Sequence, residues 1–388
     1  MASAGAEEPP AVGGVGLGHV GWLSGQGLPF SVRVRMTVPP AETQPVLVPM
    51  PVRWCWLPPR PRLRRTVAFD CALSHDPAPP VNPLIRLIPP PLVRFFASPY
   101  VSGDSLAVAM EAVVRLWNEK GRMSTLDLLA EDIHEEAQAR RNLDTYLEMV
   151  ESVAREPRIP ASGRATVSLK PSSYTTRPLQ DGGDAAGSLE AMRSIVERAA
   201  QRDVRVTVDM ESRHWTDFTL DALRRFHAEG HRHVGAVLQT RLHRTEADLA
   251  TLPQGQRVRL VIGIYREPES AAITDKAQMK ERMLQYAERL LKAGHYVEFA
   301  THDDAIVRRF VGEVVPRCGV GKDRYEVQML YGVPREGLLG ELRREGVQVR
   351  LYVPFALSWS MAIQYLRRRL DEYPAMMFLV SKNLVFRR

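Results

Sequence analysis

The chain has 388 residues, of which 45% are hydrophobic and 25% charged, and its net charge is +7, a composition typical of a globular protein. Basic residues alternate with acids, as in RRLDE (368–372) and ELRRE (341–345), which argues against a nucleic-acid-binding surface. Three cysteines form neither a disulfide framework nor a metal-binding spacing, and no run of about 18 apolar residues predicts a membrane span. We therefore expect no metal site and a location in the reducing cytoplasm.

Residues 1–91 differ from the rest of the chain. They contain 18 of the 29 prolines and no lysine, and they show little hydrophobic periodicity. This composition predicts a largely disordered or irregular segment. A further hypothesis is that part of it is translated upstream sequence, with the start of the protein nearer Met50.

From residue 92 onward, helical patterns alternate with short strand-like runs. The strands are predicted at 123–129, 165–170, 204–210, 233–240, 257–265, 296–300, 325–330 and 347–353. The helices are predicted at 104–119, 135–154, 187–201, 216–229, 245–251, 274–293, 303–312, 335–345 and 358–372. Eight strand–helix units in this length predict a (β/α)₈ TIM-like barrel over residues 92–388. Because the strands are rich in Val, Leu and Ile, we expect them to be buried on both faces.

Polar residues fall near the predicted carboxyl end of every strand, where barrel enzymes build their active sites. In chain order these are Glu131, Lys170, Asp209 with Glu211, Gln239 with Arg241, Tyr265, Thr301 with His302, Glu326 with Gln328, and Tyr352. This order predicts one site at the mouth of the barrel.

The last helix has two different faces at 100° per residue. One face carries Trp359, Ile363, Leu366 and Leu370, and the other carries Tyr365, Arg368, Arg369 and Glu372. Two adjacent arginines beside a tyrosine are suited to binding a planar carboxylate. A solvated basic face is the alternative, and the helix alone does not decide between them.

Nine segments in order carry a family resemblance. They are TLDLLAE (125–131), VSLK (167–170), VTVDME (206–211), VLQTRLHRTEADL (237–249), RLVIGIYREP (259–268), FATHD (299–303), YEVQMLYGV (325–333), VRLYVPF (349–355) and QYLRRRLDE (364–372). In this set the chain resembles the monofunctional proline dehydrogenases. The resemblance implies a distorted barrel with its last helix above the mouth, non-covalent FAD, and oxidation of L-proline to Δ1-pyrroline-5-carboxylate. It also implies a quinone acceptor and hence a peripheral membrane contact.

The resemblance further implies roles for individual residues. Arg368 and Arg369 would bind the proline carboxylate with Lys170 close by, and Glu131 would hold Arg368. The ring of proline would pack against Tyr352, Tyr365 and Leu260, while Asp209 would support the site beneath Lys170. FAD would be held by Gln239, Arg259, Gly263, Tyr265, Thr301, His302 and Glu326.

Three positions depart from the family pattern. Ile262 stands where the family has a lysine near the cofactor, Ala130 replaces a glycine, and Arg241 replaces a tyrosine. Tyr352 is retained, which favours proline over hydroxyproline, because the hydroxyproline-preferring branch has a smaller residue there. Two alternatives stay open: oxidation of another small cyclic or N-alkyl amino acid, and a flavin-free barrel with a binding or regulatory role.

Overall fold

The computed structural model describes residues 89, 91, 93–94, 98–131 and 133–372, without the side chains of residues 364 and 368–372. The predicted irregular segment 1–91 lies outside the described residues apart from 89 and 91. Its character and its boundary with the barrel therefore stay predictions.

Eight strands alternate with helices along the described chain. The strands are β1 (Met123–Leu128), β2 (Thr166–Leu169), β3 (Val206–Val208), β4 (Val234–Gln239), β5 (Arg257–Val261), β6 (Tyr296–Ala300), β7 (Tyr325–Leu330) and β8 (Gln348–Phe355). The helices are α1 (Leu106–Lys120), α2 (Glu136–Arg155), α3 (Ser188–Gln201), α4 (Thr216–Ala228), α5 (Thr245–Leu249), α6 (Lys276–Lys292), α7 (Asp304–Arg309), α8 (Val315–Cys318), α9 (Glu336–Arg344) and α10 (Trp359–Glu372). A π-helical turn, Phe310–Val314, joins α7 to α8.

The strands form a closed parallel barrel in the order β1 to β8, and β8 pairs with β1 from Met123↔Arg350 to Leu128↔Phe355. The predicted (β/α)₈ fold is confirmed. Several predicted strand ends differ from the structure by one or two residues, and the largest difference is at β5, which ends at Val261. Tyr265 therefore lies in the loop that follows the strand. This loop contains Gly263 at a φ of +106°, which leaves the extended conformation of the strand.

The outer faces of the strands build the apolar core between the barrel and its helices. Val167, Val206, Leu238, Val258 and Phe299 are at most 1% exposed and belong to this core. The helices contribute matching stripes, such as Tyr146, Met149, Val150 and Val153 of α2. This is the arrangement expected when parallel strands are covered by crossover helices.

The inner faces of the strands are polar but largely buried, so the strands are buried on both faces as predicted. Side chains alternate between the two faces of a strand, and the alternate set here is hydrophilic. The buried residues of this set are Thr125, Asp127, Thr166, Ser168, Lys170, Thr207, Arg259, Glu298, Glu326, Gln328 and Arg350. The barrel is therefore filled by an ion-pair and hydrogen-bond network that extends toward its mouth.

Within the described residues, no helix combines the length and the apolar character needed to cross a membrane.

Candidate active site

The site begins with a buried ion pair at the mouth of the barrel. Asp127 on β1 and Lys170, directly after β2, form this pair, and both side chains are less than a tenth exposed. Glu131, in the loop after β1, lies 3.9 Å from the same ammonium group. The short distance between the two strand ends follows from the register Thr125↔Thr166 of β1 and β2.

A second group of polar residues lies across the barrel interior. The Asp209 carboxylate, which follows β3, accepts hydrogen bonds from Ser168 at 2.7 Å, Arg259 at 2.8 Å and the phenol of Tyr352 at 2.7 Å. The Arg259 guanidinium lies 5.2 Å from the centroid of the Tyr352 ring, within cation–π distance. Residues from three different strands thus bind one carboxylate, which follows a fourth strand.

Burial and charge shift the titration of these groups. Burial raises the pKa of Asp127 to about 6, although Lys170 acts in the opposite direction. Burial alone would lower the pKa of Lys170, but the negative charges of Asp127 and Asp209 outweigh this effect, so its pKa is raised. Burial also raises the pKa of Tyr352 well above its usual value, so its hydroxyl stays protonated and donates to Asp209. At neutral pH the mouth therefore holds a charged lysine and a neutral tyrosine.

The rim between β4 and β5 has the form of a cradle. A side chain at Gly263 would collide with Oε1 of Gln239, and its Cβ would lie 3.1 Å from Cδ of Arg241. The Gln239 Oε1 atom is buried and has no hydrogen-bond partner among the described residues. Arg241 crosses to the β5 loop and donates to the Tyr265 carbonyl at 2.9 Å. Backbone and amide groups at this rim can therefore approach a ligand closely.

The rim after β6 places Thr301 and His302 next to the end of β7. Nε2 of His302 accepts the Leu330 backbone N–H at 2.9 Å, and the His302 carbonyl accepts from Arg335 at 3.1 Å. Burial, with a smaller effect of Arg335, lowers the pKa of His302 to about 4. The ring is therefore neutral near pH 7, as its acceptor role requires.

The helix α10 is anchored by a small apolar cluster separate from the main core. Ala362 and Leu366 are buried in it together with Val101 and Leu129, and Trp359 and Ile363 pack against it. Tyr365 lies within electrostatic range of Lys170, which places this helix beside the site. The side chains of Arg368 and Arg369 lie outside the description, so the predicted clamp and its pairing with Glu131 stay predictions.

Two predicted site residues do not lie with the others. Leu260 is fully buried in the apolar core, because strand alternation directs it to the face opposite Arg259. Glu326 is the second residue of β7, near the amino end of the barrel, and its carboxylate binds Arg350 at 2.6 Å. The place of each residue within its strand determines where its side chain lies in the barrel: alternation sets the face for Leu260, and closeness to the strand start sets the level for Glu326.

Asp127, Ser168 and Glu298 take part in the network but were missed in the sequence. Their signal was the two-residue period within the strands, as in Thr125-Leu126-Asp127-Leu128, where every second residue is polar.

Comparisons with known proteins agree with this fold. Residues 109–380 match the family model described as "Proline dehydrogenase". The chain is 35% identical over 283 residues to a proline dehydrogenase of Deinococcus radiodurans, covering 72% of this chain and 86% of that protein. It is 30% identical over 294 residues to proline dehydrogenase 2 of Bacillus subtilis strain 168, covering 75% and 91%.

Solved structures show the same fold. A proline utilization A structure from Bdellovibrio bacteriovorus, inactivated by N-propargylglycine, superposes with a TM-score of 0.63 at 22% identity. A mutant of the Bradyrhizobium japonicum protein of the same name gives 0.58 at 21% identity. The chain spans about a third of each of these longer proteins, 32% in both cases. The two superpositions cover 71% and 74% of the chain described here.

Proposed function

The chain belongs to the proline dehydrogenase family and is an oxidoreductase of proline catabolism, and from this premise we propose the details of its reaction. It oxidises L-proline to Δ1-pyrroline-5-carboxylate, uses bound FAD, and passes the electrons to a quinone. The quinone is lipid-soluble, so the exchange takes place during peripheral contact with a membrane. The observation that supports the proposal is that the charged Lys170, paired with Asp127, and the ring of Tyr352, held by Asp209, lie at the same barrel mouth.

The cradle beside β5 fits the flavin. Gln239 offers a buried amide oxygen without a partner among the described residues, and Gly263 leaves the space that a side chain would fill. FAD would supply the hydride-accepting ring. Tyr265, Thr301 and His302 would hold the rest of the cofactor at the adjoining rim. Ile262 removes one cation from this region relative to the family, but Arg241 keeps a positive charge beside the same loop.

Arg259 lies below this cradle, on the side of the barrel interior, and places a positive charge there. Its side chain is fully enclosed, and its Nη2 atom is buried without a partner in the described part of the chain. Asp209 and Glu298 raise its pKa despite burial, which favours the protonated form. A fixed cation at this position stabilises negative charge that develops on a neighbouring ring.

Substrate recognition would combine charge and shape. Lys170 is held in the charged form, and together with Arg368 and Arg369 it would attract the single carboxylate of the amino acid. The same cations favour loss of the proton from the substrate amine, which must be neutral before the ring is oxidised. Tyr352 cannot turn toward the substrate without losing its bond to Asp209, so its ring is a rigid wall. Orientation of the substrate ring is then set by the protein before reaction.

A dye-linked assay of purified protein tests the proposal. We expect flavin absorption and reduction of a dye that depends on L-proline, with much lower rates for hydroxyproline and pipecolate. A colourless protein that stays inactive after addition of FAD would instead indicate a binding or regulatory barrel. Faster turnover of pipecolate or an N-alkyl amino acid than of proline would assign a different substrate.

A further inference from the structure

The amino end of the barrel, opposite the mouth, contains a layer with buried hydrogen-bond donors that have no partner among the described residues. Thr207 on β3 pairs in register with Gly235 on β4, and Arg257 follows on β5. An ideal Cβ at Gly235 would lie 3.2 Å from the Arg257 carbonyl oxygen and 3.4 Å from both the Thr207 hydroxyl and the Arg257 Cβ. Gly235 therefore places no side chain between a buried hydroxyl and a guanidinium group.

These donors are not satisfied by the described part of the protein. Nε and Nη1 of Arg257 and Oγ1 of Thr207 are buried without a hydrogen-bond partner there. Thr207 is 1% exposed. Buried polar groups normally have partners, and a guanidinium left with free donors is especially costly. An acceptor with several oxygen atoms would satisfy all three.

The charge at this end of the barrel is also unbalanced. Among the described residues, Arg205, Arg257 and Arg350 lie with two carboxylates, Glu298 and Glu326, and Glu298 is shared with Arg259, whose other partner is Asp209. Both carboxylates are already used by neighbours: Gln328 donates to each of them, and Tyr296 donates to Glu326. One positive charge is left over.

Arg205 carries this excess charge. It is open to solvent and forms no side-chain ion pair within the described residues. Its carbonyl accepts the Val167 N–H, so it continues β3 downward, and alternation directs it inward with Thr207 and Asp209. Partial burial lowers the pKa of Arg205, and repulsion from Arg257 and Arg350 lowers it further. An exposed arginine thus lies close enough to two buried arginines to be repelled by them.

We propose that the amino end of the barrel binds a small oxyanion of the phosphate class between Arg205, Arg257 and Thr207. Guanidinium groups match the geometry of phosphate oxygens by paired hydrogen bonds, and the threonine hydroxyl donates a further one. The site lies at the opposite end of the barrel from Lys170 and the flavin cradle. It is a binding site for an ion that the oxidation of proline does not consume.

Phosphate titrations of stability test the site without measuring activity. The thermal midpoint of the flavin-loaded protein is followed as sodium phosphate replaces sodium chloride at constant ionic strength. We expect an increase that becomes logarithmic in phosphate concentration above the Kd, because a ligand that binds only the folded state stabilises it by RT ln(1 + L/Kd), where L is the free ligand concentration. Equilibrium dialysis with labelled phosphate should then give one site per chain, with a Kd raised about tenfold or more in Arg205→Gln, where a charge-assisted contact is lost.

Two further variants make the result specific. Thr207→Val keeps the shape of the side chain and removes the donor, so it should also weaken phosphate binding. Arg225→Gln removes an exposed arginine from the outer helix α4 and should leave the titration unchanged. Equal phosphate affinity in wild type and Arg205→Gln would overturn the proposal. So would a midpoint that rises linearly with phosphate concentration throughout, as general salt exclusion produces.

Discussion

The phenol of Tyr352 donates a hydrogen bond to Asp209 across the barrel, with 2.7 Å between the two oxygens. Tyr352 belongs to β8 and Asp209 follows β3, so the bond joins strands that are not neighbours in the sheet. Because Asp209 also binds Ser168 and Arg259, the tyrosine ring is fixed from below. This relationship sets the shape of the pocket in which we propose that proline binds.

Removal of the Tyr352 hydroxyl should lower catalytic efficiency. We expect Tyr352→Phe to reduce kcat/KM for proline about tenfold, because the ring loses one hydrogen bond of roughly 1–1.5 kcal/mol. Tyr352→Ser should cost more for proline and raise the relative rate with hydroxyproline, since space for a hydroxyl opens. Steady-state kinetics with both substrates measure this. Tyr296→Phe is the matched control, because that phenol binds Glu326 at the other end of the barrel; an equal loss there would indicate general damage.

Loss of the Lys170 charge should destabilise the fold as well as weaken substrate binding. Lys170→Met leaves Asp127 fully buried without its partner, a change that costs about 3–5 kcal/mol for buried pairs. Asp127→Asn in the same chain should recover part of this loss. Urea unfolding gives the free energies, and KM for proline gives the effect on binding. Lys292→Met, which breaks an exposed pair with Glu288, should change stability by less than about 1 kcal/mol.

A side chain at Gly263 should displace the flavin. Gly263→Ala places a methyl group against Gln239 and forces alanine to a φ of +106°. We expect the purified variant to lose most of its flavin absorption and about 1–3 kcal/mol of stability. Gly255→Ala is the control, since Gly255 also has a positive φ but nothing within 4 Å of its Cβ position. Flavin retained in full by Gly263→Ala would show that the cofactor lies elsewhere.

Arg368 should act on turnover and leave the cofactor in place. We expect Arg368→Met to abolish proline-dependent dye reduction, because the substrate carboxylate loses its oriented partner. Bound flavin, measured by its absorbance per chain, should stay close to the wild-type value. Arg344→Met, on the exposed side of α9, is the control for a general loss of positive charge. A matching loss of flavin would assign Arg368 to the cofactor site.

His302 should make folding sensitive to mild acid. Its pKa is lowered to about 4, so between pH 6.5 and 4 the unfolded state binds a proton that the folded state does not. Stability from this residue is therefore full above pH 6.5 and decreases by about 1–3 kcal/mol as the pH falls to 4. Urea unfolding at several pH values should give a shallower dependence for His302→Gln, which keeps an acceptor for Leu330. The control is His243→Gln, at an exposed position. Its free energy of unfolding should depend on pH as strongly as that of the wild type.

The order of elements could be predicted because each leaves a local pattern. The strand–helix rhythm placed the start of β6 and both ends of β7 at the residues where the structure has them, and α10 began one residue from its predicted start. Lys170, Asp209, Gln239 and His302 were found because they follow parallel strands, whose carboxyl ends meet at one end of a barrel. Their residue types and order, together with the family motifs, were enough to predict a site at the mouth.

Which residues contact one another was decided only by the tertiary structure. Asp127 pairs with Lys170, and Tyr352 with Asp209, through strand register and closure of the barrel, which no local pattern records. Strand alternation buried Leu260 between the barrel and the helices. Glu326 lies near the amino end of the barrel because it is the second residue of β7. Sequence periodicity fixes which face of a strand a residue occupies. The level of that residue in the barrel depends on the stagger between strands, and that stagger exists only once the sheet has closed.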